Sequence, residues 1–298
     1  MSTTVHQLVA EAEARLQAAG VSFGHGTTNA RDEAAWLVLW RLGLPLDGDL
    51  AEIGAREVDD EARRAVEELV TQRITTRKPA AYLTREAWLQ GVPFYVDERV
   101  IVPRSFIAEL VADGSFDAWL SADTRQVLDL CTGNGSLAVL AAMAWPEVHV
   151  TGADVSADAL DVARINVQRH GLEERVTLVQ SDGMAACPGP WDLILCNPPY
   201  VNAASMAALP PEYLAEPAIA LAGGDDGMDF VRRFLREEAP PRLSPHGVIV
   251  LEIGHEREHF ERAFPGLETV WLSTSGGDDQ VLLITAGTLH AWLAGQAR

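Results

Sequence analysis

Cysteine is scarce in this chain of 298 residues: only Cys131, Cys187 and Cys196 occur, far apart and with no C-x-x-C pair. That speaks against a disulfide framework or a thiolate zinc site and fits a reducing compartment. Basic residues are in short supply too, with 23 Lys and Arg against 43 Asp and Glu, for a formal charge of −20. Lys and Arg supply most of the affinity of a protein for a nucleic-acid backbone. The balance therefore argues against a broad nucleic-acid interface, and it suits a small-molecule substrate or a basic protein partner. No apolar run approaches the roughly 18 residues needed to span a bilayer. Met1 to Leu16 also lacks the cationic start and apolar block of a signal peptide. The expectation is a soluble, cytosolic protein that makes no membrane contact.

Apolar residues make up 48% of the chain, enough for a large core or for a main domain with a smaller companion. The first third has helical periodicity. Leu8, Val9, Ala12 and Leu16 share a face that Gly20 ends; Trp36, Leu39 and Trp40 share another, with Asp32 as the expected cap; Val66, Leu69, Val70 and Ile74 share a third, starting near Asp59. From Trp88 to Val102 the pattern becomes β-like. Phe94-Tyr95-Val96 and Val100-Ile101-Val102 flank Asp97-Glu98, which predicts a hairpin turning at those two acids. After Thr124, strand and helix patterns alternate, which implies a mostly parallel sheet with helices on both faces. The expected division is a helical unit over 1–84 for substrate docking, a hairpin linker over 85–115, and an α/β catalytic unit over 116–298.

The most informative residues are Asn197-Pro198-Pro199-Tyr200, at the end of the apolar run Leu193-Ile194-Leu195-Cys196. Proline holds φ at about −65° and has no N–H, so the carbonyls here are free to accept. Asn adds another acceptor and Tyr a flat face. Together they suit a site that holds a planar amino group still. Upstream, Asp129 precedes the glycines of Thr132-Gly133-Asn134-Gly135 at a strand-to-helix junction. Gly133-x-Gly135-x-x-Ala138, with Asp154 19 residues beyond Gly135, also satisfies the dinucleotide fingerprint, so a nicotinamide enzyme stays open on this half alone. Acids after the first three strands (Asp129, Asp154, Asp182) and an amino-holding loop after the fourth suit S-adenosylmethionine better.

At this point the chain resembles the bacterial protein-glutamine methyltransferases. The resemblance extends through Ala80-Ala81-Tyr82-Leu83, Phe94 to Val100, Val102-Pro103-Arg104-Ser105, and Glu216-Pro217 with Ala220-Leu221. Within that family the Phe-Tyr-Val-Asp-Glu-Arg-Val and Val-Pro-Arg-Ser segments are closer to the branch acting on large-subunit ribosomal protein three than to the release-factor branch. Asn134-Gly135-Ser136 departs from the Ser or Thr, then Cys or Ala, that relatives more often carry. The resemblance implies a Rossmann-like class I S-adenosylmethionine-dependent methyltransferase fold with a small helical N-terminal domain. It implies cofactor contacts at Asp129, Thr132, Gly133, Gly135, Asp154, Asp182 and Asn197. Asn197, Pro198, Pro199 and Tyr200 would bind the glutamine, with catalysis assigned to Asn197, Pro198 and Tyr200. The implied partner is a basic protein, a large-subunit ribosomal protein.

Three rivals are weighed against this. The tetrad also serves adenine-amino methylation, which would need base flipping and a recognition surface that an acidic chain without a long basic insertion does not offer. His255-Glu256-Arg257-Glu258-His259 matches H-E-x-x-H, but Gly254 places it at a strand-to-helix junction, where a solvated first turn is the simpler account and no metal is expected. A non-enzymatic binding module would require a lost site, and nothing visible is missing. Arg104, Glu109 and Glu216 are open to either a pocket role or a structural ion pair.

Overall fold

The structure is a computed structural model that describes residues 3–296. Its frame is a seven-stranded sheet: β1 (Gln126–Leu130), β2 (His149–Asp154), β3 (Val176–Gln180), β4 (Trp191–Cys196), β5 (Leu243–Glu252), β6 (Val270–Thr274) and β7 (Gly277–Thr285). The strand order is β6-β7-β5-β4-β1-β2-β3. The first five strands are parallel, and β7 runs antiparallel to both β5 and β6. Strands buried on both faces read as continuous apolar runs, and Leu193–Cys196 and Val248–Leu251 do so. Ile107–Asp113, Ser136–Ala144 and Ala157–Arg169 cover one face. The other is covered by the helical stretch from Asp229, by Arg257–Ala263 and by Ala286–Gln296. Among the described residues no helix is long and apolar enough to cross a membrane.

The N-terminal helices Val5–Ala18, Ala30–Arg41 and Asp60–Thr76 share a separate core built on Leu8, Leu16, Leu37, Val38, Val66 and Val70. Asp59 caps the third, accepting the Ala62 N–H at 2.8 Å. The second is capped three residues earlier than the sequence suggests. Asn29 Oδ1 accepts the Asp32 N–H at 2.9 Å, and Asp32 lies in the first turn, where a carboxylate meets the positive end of the helix dipole. A smaller cluster of Ala81, Tyr82, Val96, Val100 and Val102 packs onto Ala159 and Val162 and joins the two parts.

The expected hairpin lies elsewhere. The paired strands are Ala87–Leu89 and Val92–Phe94, turning at Gln90-Gly91, both with positive φ as a two-residue hairpin turn requires. Residues 95–102 do turn at Asp97, which accepts the Arg99 N–H and its guanidinium, but they form no ladder. Side chains take the backbone groups a ladder would need. Asn166 bonds the Tyr95 N–H and C=O at 2.7 and 2.9 Å, and Glu216 accepts the Val102 N–H at 2.9 Å.

Between β4 and the helix at Asp229 runs a segment of short turns, Ala203–Ala207, Tyr213–Ala215 and Ala218–Ala220. Two glutamates pin it. Glu212 accepts the Ser22 N–H at 3.0 Å and pairs with Arg77 at 2.8 Å and Arg73 at 3.3 Å. Arg73 is fully buried and also meets Glu33 at 2.7 Å and the Ser22 carbonyl at 2.9 Å. Glu216 takes both Arg104 Nη atoms at 2.7 Å and faces His25 at 3.5 Å. A buried charge left without its partner is expensive. Arg73→Met, which strands Glu33 and leaves Glu212 with less compensation, is expected to cost about 3–5 kcal/mol in urea unfolding. A loss below about 1 kcal/mol would show that the cluster adds no net stability.

Candidate active site

The chain enters the sheet at β1, proceeds to β2 and β3 on one side, then crosses to β4 on the other. Such a reversal opens a crevice beyond the strand ends, where ligands of α/β sheets bind. Leu130 of β1 pairs with Cys196 of β4, so the Gly-rich turn and the Asn-Pro-Pro-Tyr tetrad leave the sheet side by side. Two cavities open there. One, of about 290 Å³, is walled by Leu130, Gly133, Asp154, Asp182, Asn197 and Phe230 among others. The second, of about 560 Å³, is walled by Arg104, Asn197, Pro198, Tyr200, Tyr213 and Glu252 among others. Asn197, Ile101 and Ala220 belong to both walls.

Each expected residue has a definite place. Gly133 adopts φ 55°, and a Cβ added there would meet nothing within 4 Å, so its backbone faces the smaller cavity unobstructed. Its N–H donates to Asp154 Oδ2 at 2.9 Å, while Asp154 Oδ1 accepts from Ser156 N–H at 2.9 Å. Burial pushes the Asp154 carboxyl up, and these backbone bonds oppose the shift. Gly135 and Thr132 are not part of the cavity wall. A Cβ on Gly135 would come within 3.1 Å of Ala163, so glycine there allows helix packing, and the Thr132 hydroxyl donates to Asp129 Oδ2 at 2.5 Å. Asp129 is fully buried beneath the turn. It does not line the cavity; its Oδ2 also accepts the Ala138 N–H at 2.9 Å, its Oδ1 has no partner among the described residues, and burial raises the carboxyl to about 7. Asp182 sits at the rim with its side chain 68% exposed, bonded to Arg233 at 2.6 Å, which holds its carboxyl low.

Pro198 is buried, and Asn197, Pro199 and Tyr200 are half-buried. Among the described residues nothing is hydrogen-bonded to the Asn197 carboxamide, which is thus free to bind a ligand. Tyr200 is wedged between glycines: a Cβ on Gly223 would lie 2.7 Å from its Cα, and one on Gly254 would lie 2.5 Å from its ring. Its hydroxyl donates to Glu252 Oε1 at 3.3 Å, and burial with that neighbour drives the phenol upward. The residues at Arg104, Glu109 and Glu216 divide. Arg104 lines the larger cavity and is held by Glu216, whose carboxyl would rise on burial but is kept at about 2 by the nearby His25 ring and the two Arg104 hydrogen bonds. Glu109 instead accepts from the Ser275 N–H at 2.9 Å, tying a helix to the β6–β7 turn. His255 and His259 do not converge: His259 Nδ1 meets Glu256, and among the described residues no group of three His, Cys, Asp or Glu could hold a metal.

Sequence reasoning missed Phe230, Arg233, Tyr213 and Glu252. Only Glu252 carried a signal, as an acid closing the apolar run Val248-Ile249-Val250-Leu251. The cavity wall fits S-adenosylmethionine: the Asp154 and Asp182 carboxylates for its hydroxyl and amino groups, the exposed backbone of Gly133 for close approach, and apolar Leu130 and Phe230 for its adenine.

A family model described as "Methyltransferase small domain" matches residues 116–251. The chain is 53% identical over 290 residues to the ribosomal protein uL3 glutamine methyltransferase of Bordetella pertussis, covering 96% of each. It is 47% identical over 285 residues to that of Neisseria gonorrhoeae, covering 95% of this chain and 94% of the relative. Among solved structures, the catalytic domain of hMettl16 in complex with MAT2A 3'UTR hairpin 6 superposes with a TM-score of 0.51 at 12% identity, over 78% of this chain and 84% of that one. At that identity the likeness is one of fold.

The raised Asp129 carboxyl has a consequence for stability. Between its ordinary value near 3.8 and about 7, the folded protein holds a proton that the unfolded chain has lost. Its contribution is therefore complete below the ordinary value and disappears as pH rises toward 7, with a slope of up to about 1.4 kcal/mol per pH unit. Asp129→Asn should remove this component. Relative to wild type it is expected to gain stability in urea unfolding at pH 8 compared with pH 5; a difference independent of pH would contradict the assignment.

Proposed function

Because the chain belongs to the ribosomal protein uL3 glutamine methyltransferase family, we propose that it methylates the side-chain amide nitrogen of a glutamine in ribosomal protein uL3, using S-adenosylmethionine. The observation that carries the reading is the shared wall of the two cavities at Asn197, which lets a cofactor on one side face an amide on the other. When bound in the smaller cavity, the cofactor supplies a methyl group activated by its sulfonium. Gly133, Asp154 and Asp182 would hold it there, with Asp129, Thr132 and Gly135 shaping the turn from beneath. Asp182 is engaged by Arg233, so adenine recognition at that rim involves exchanging or sharing the arginine.

An amide nitrogen is a poor nucleophile because its lone pair is delocalised into the carbonyl. As that pair would become the new N–C bond, the sulfur–methyl bond would break to leave a neutral thioether, and positive charge would grow on nitrogen until one of its protons is lost to solvent. The Asn197 carbonyl oxygen accepts one amide hydrogen and the Pro198 carbonyl the other, which favours this charge. Tyr200 stacks on the amide plane and Pro199 closes the wall, so the lone pair is aimed at the methyl group. No imidazole or thiolate base is needed.

In this reading residues 1–84 dock the substrate, 85–115 connect, and 116–298 perform the transfer, in the cytoplasm. A charge of −20 draws in a basic protein. Added salt should then lower kcat/KM more than kcat. The test is transfer of labelled methyl groups into unmethylated uL3, a release factor and DNA, side by side. Label is expected on a uL3 glutamine, with a loss of about 100-fold or more in Asn197→Ala. Label only on the release factor would move the substrate, and label only on DNA would overturn the glutamine assignment.

A further inference from the structure

A third cavity, of about 320 Å³, opens on the helical unit and shares no wall residue with the other two. Separate elements build it. Asp32 and Trp36 stand four residues apart on the helix Ala30–Arg41, which puts them on one face. Leu46 follows that helix, Gly26 and Thr27 precede it, and Trp88 comes from the hairpin strand Ala87–Leu89. No lysine or arginine belongs to this wall. The Trp88 indole N–H donates to Glu86 Oε1 at 3.1 Å, and Glu86 Oε2 meets Arg169 at 3.0 Å, so the exposed ring is anchored at its nitrogen edge.

Each half of this wall lacks its complement. Trp271 and Trp292 are covered by the guanidinium groups of Arg257 and Arg236, at 4.4 and 5.6 Å from the ring centroids. Among the described residues no cation lies over Trp36 or Trp88. Asp32 likewise has no ion pair among the described residues. Its Oδ2 accepts from the Asn29 amide at 2.7 Å, and the adjacent Arg31 turns instead to Glu13 at 3.3 Å. One chemical group answers both halves: a lysine or arginine side chain, its stem or guanidinium plane on the indoles and its charge at the carboxylate. An apolar side chain would leave Asp32 unpaired, and an acidic one would be repelled.

The cavity adjoins the substrate side of the site through one turn. Gly24 belongs to the wall of the larger cavity, and Gly26 and Thr27 to the wall of this one. The turn is closed by the Gly24 N–H donating to the Thr27 carbonyl at 2.8 Å, and two residues of chain span at most about 7 Å. Between them His25 is buried, packs on the Tyr213 ring at 4.3 Å and faces Glu216 at 3.5 Å, which fixes the turn against the segment walling the larger cavity. We propose that the Trp36–Trp88 cavity is a substrate subsite, taking an arginine or lysine side chain of the methyl-accepting protein about three to six residues from the target glutamine. This rests on the glutamine-methyltransferase reading above. The subsite touches no reacting atom, so it acts on KM and leaves kcat alone.

The experiment measures methyl transfer to uL3, and the Kd for uL3 whose target glutamine is replaced by alanine, in wild type, Asp32→Asn, Trp88→Phe and Trp88→Ala. Asparagine keeps the acceptor that Asn29 uses, and phenylalanine keeps a weaker aromatic face. KM and Kd for uL3 are expected to rise about threefold to tenfold in Asp32→Asn and Trp88→Ala, and less in Trp88→Phe, with kcat and the Kd for S-adenosylmethionine unchanged. Neutralising the matching lysine or arginine of uL3, within about six residues of the glutamine, should reproduce the loss in wild type and add little to it in Asp32→Asn. Unchanged uL3 affinity in both Asp32→Asn and Trp88→Ala, a fall in kcat in place of a rise in KM, or additive losses with every substrate cation would each overturn the proposal. If wild type binds uL3 but transfers no methyl group to it, the functional reading fails, and the Kd comparison still decides the subsite.

Discussion

Everything at the site depends on one constraint, the reversal of strand order between β1 and β4. A parallel sheet that grows first to one side and then to the other leaves a single place where two adjacent strand ends diverge. The pairing of Leu130 with Cys196 puts the Gly-rich turn and the tetrad on the two lips of that opening. Asn197 can therefore face two cavities at once, a position no residue in the interior of a strand could take. The apolar strands behind it carry no chemistry of their own; they hold these lips in register.

The roof over the opening is made differently. Residues 203–222 contain little regular structure, and they are held by buried ion pairs instead of a sheet or a long helix. Glu212 ties them to Arg73 and Arg77 of the N-terminal helices, and Glu216 ties them to Arg104 beside the larger cavity. The same segment contributes Tyr213 and Leu221 to the larger cavity, Pro217 and Ile219 to the smaller, and Ala220 to both. The N-terminal helices thus reach the walls of both cavities through charged contacts. Buried ion pairs are specific in geometry and weak in net stabilisation, which suits a roof that must be placed accurately.

Much of this was legible in the sequence because it depends on local pattern. Apolar periodicity located the three N-terminal helices and the alternating strands, and the tetrad announced itself by composition. What was missed depended on tertiary partners. The residues 95–102 have strand-like composition, yet Asn166 and Glu216, distant in sequence, take the backbone groups a ladder would use. Asn29 caps in place of Asp32 because capping is decided by which residue leaves the helical conformation, not by which is acidic. Asp129, Asp154 and Asp182 look alike in sequence; burial, backbone bonds and Arg233 make them three different groups. Tyr213 and Phe230 reach the cavities only through folding of segments that carry no motif.

The most direct test is a crystal structure with S-adenosylhomocysteine and a glutamine-bearing uL3 peptide bound together. The nucleoside is expected beside Gly133 and Asp154, and the glutamine amide in the larger cavity, its nitrogen within hydrogen-bond distance of the Asn197 side chain and the Pro198 carbonyl. A glutamine bound outside that cavity, or an amide whose nitrogen is turned away from Asn197, would contradict it.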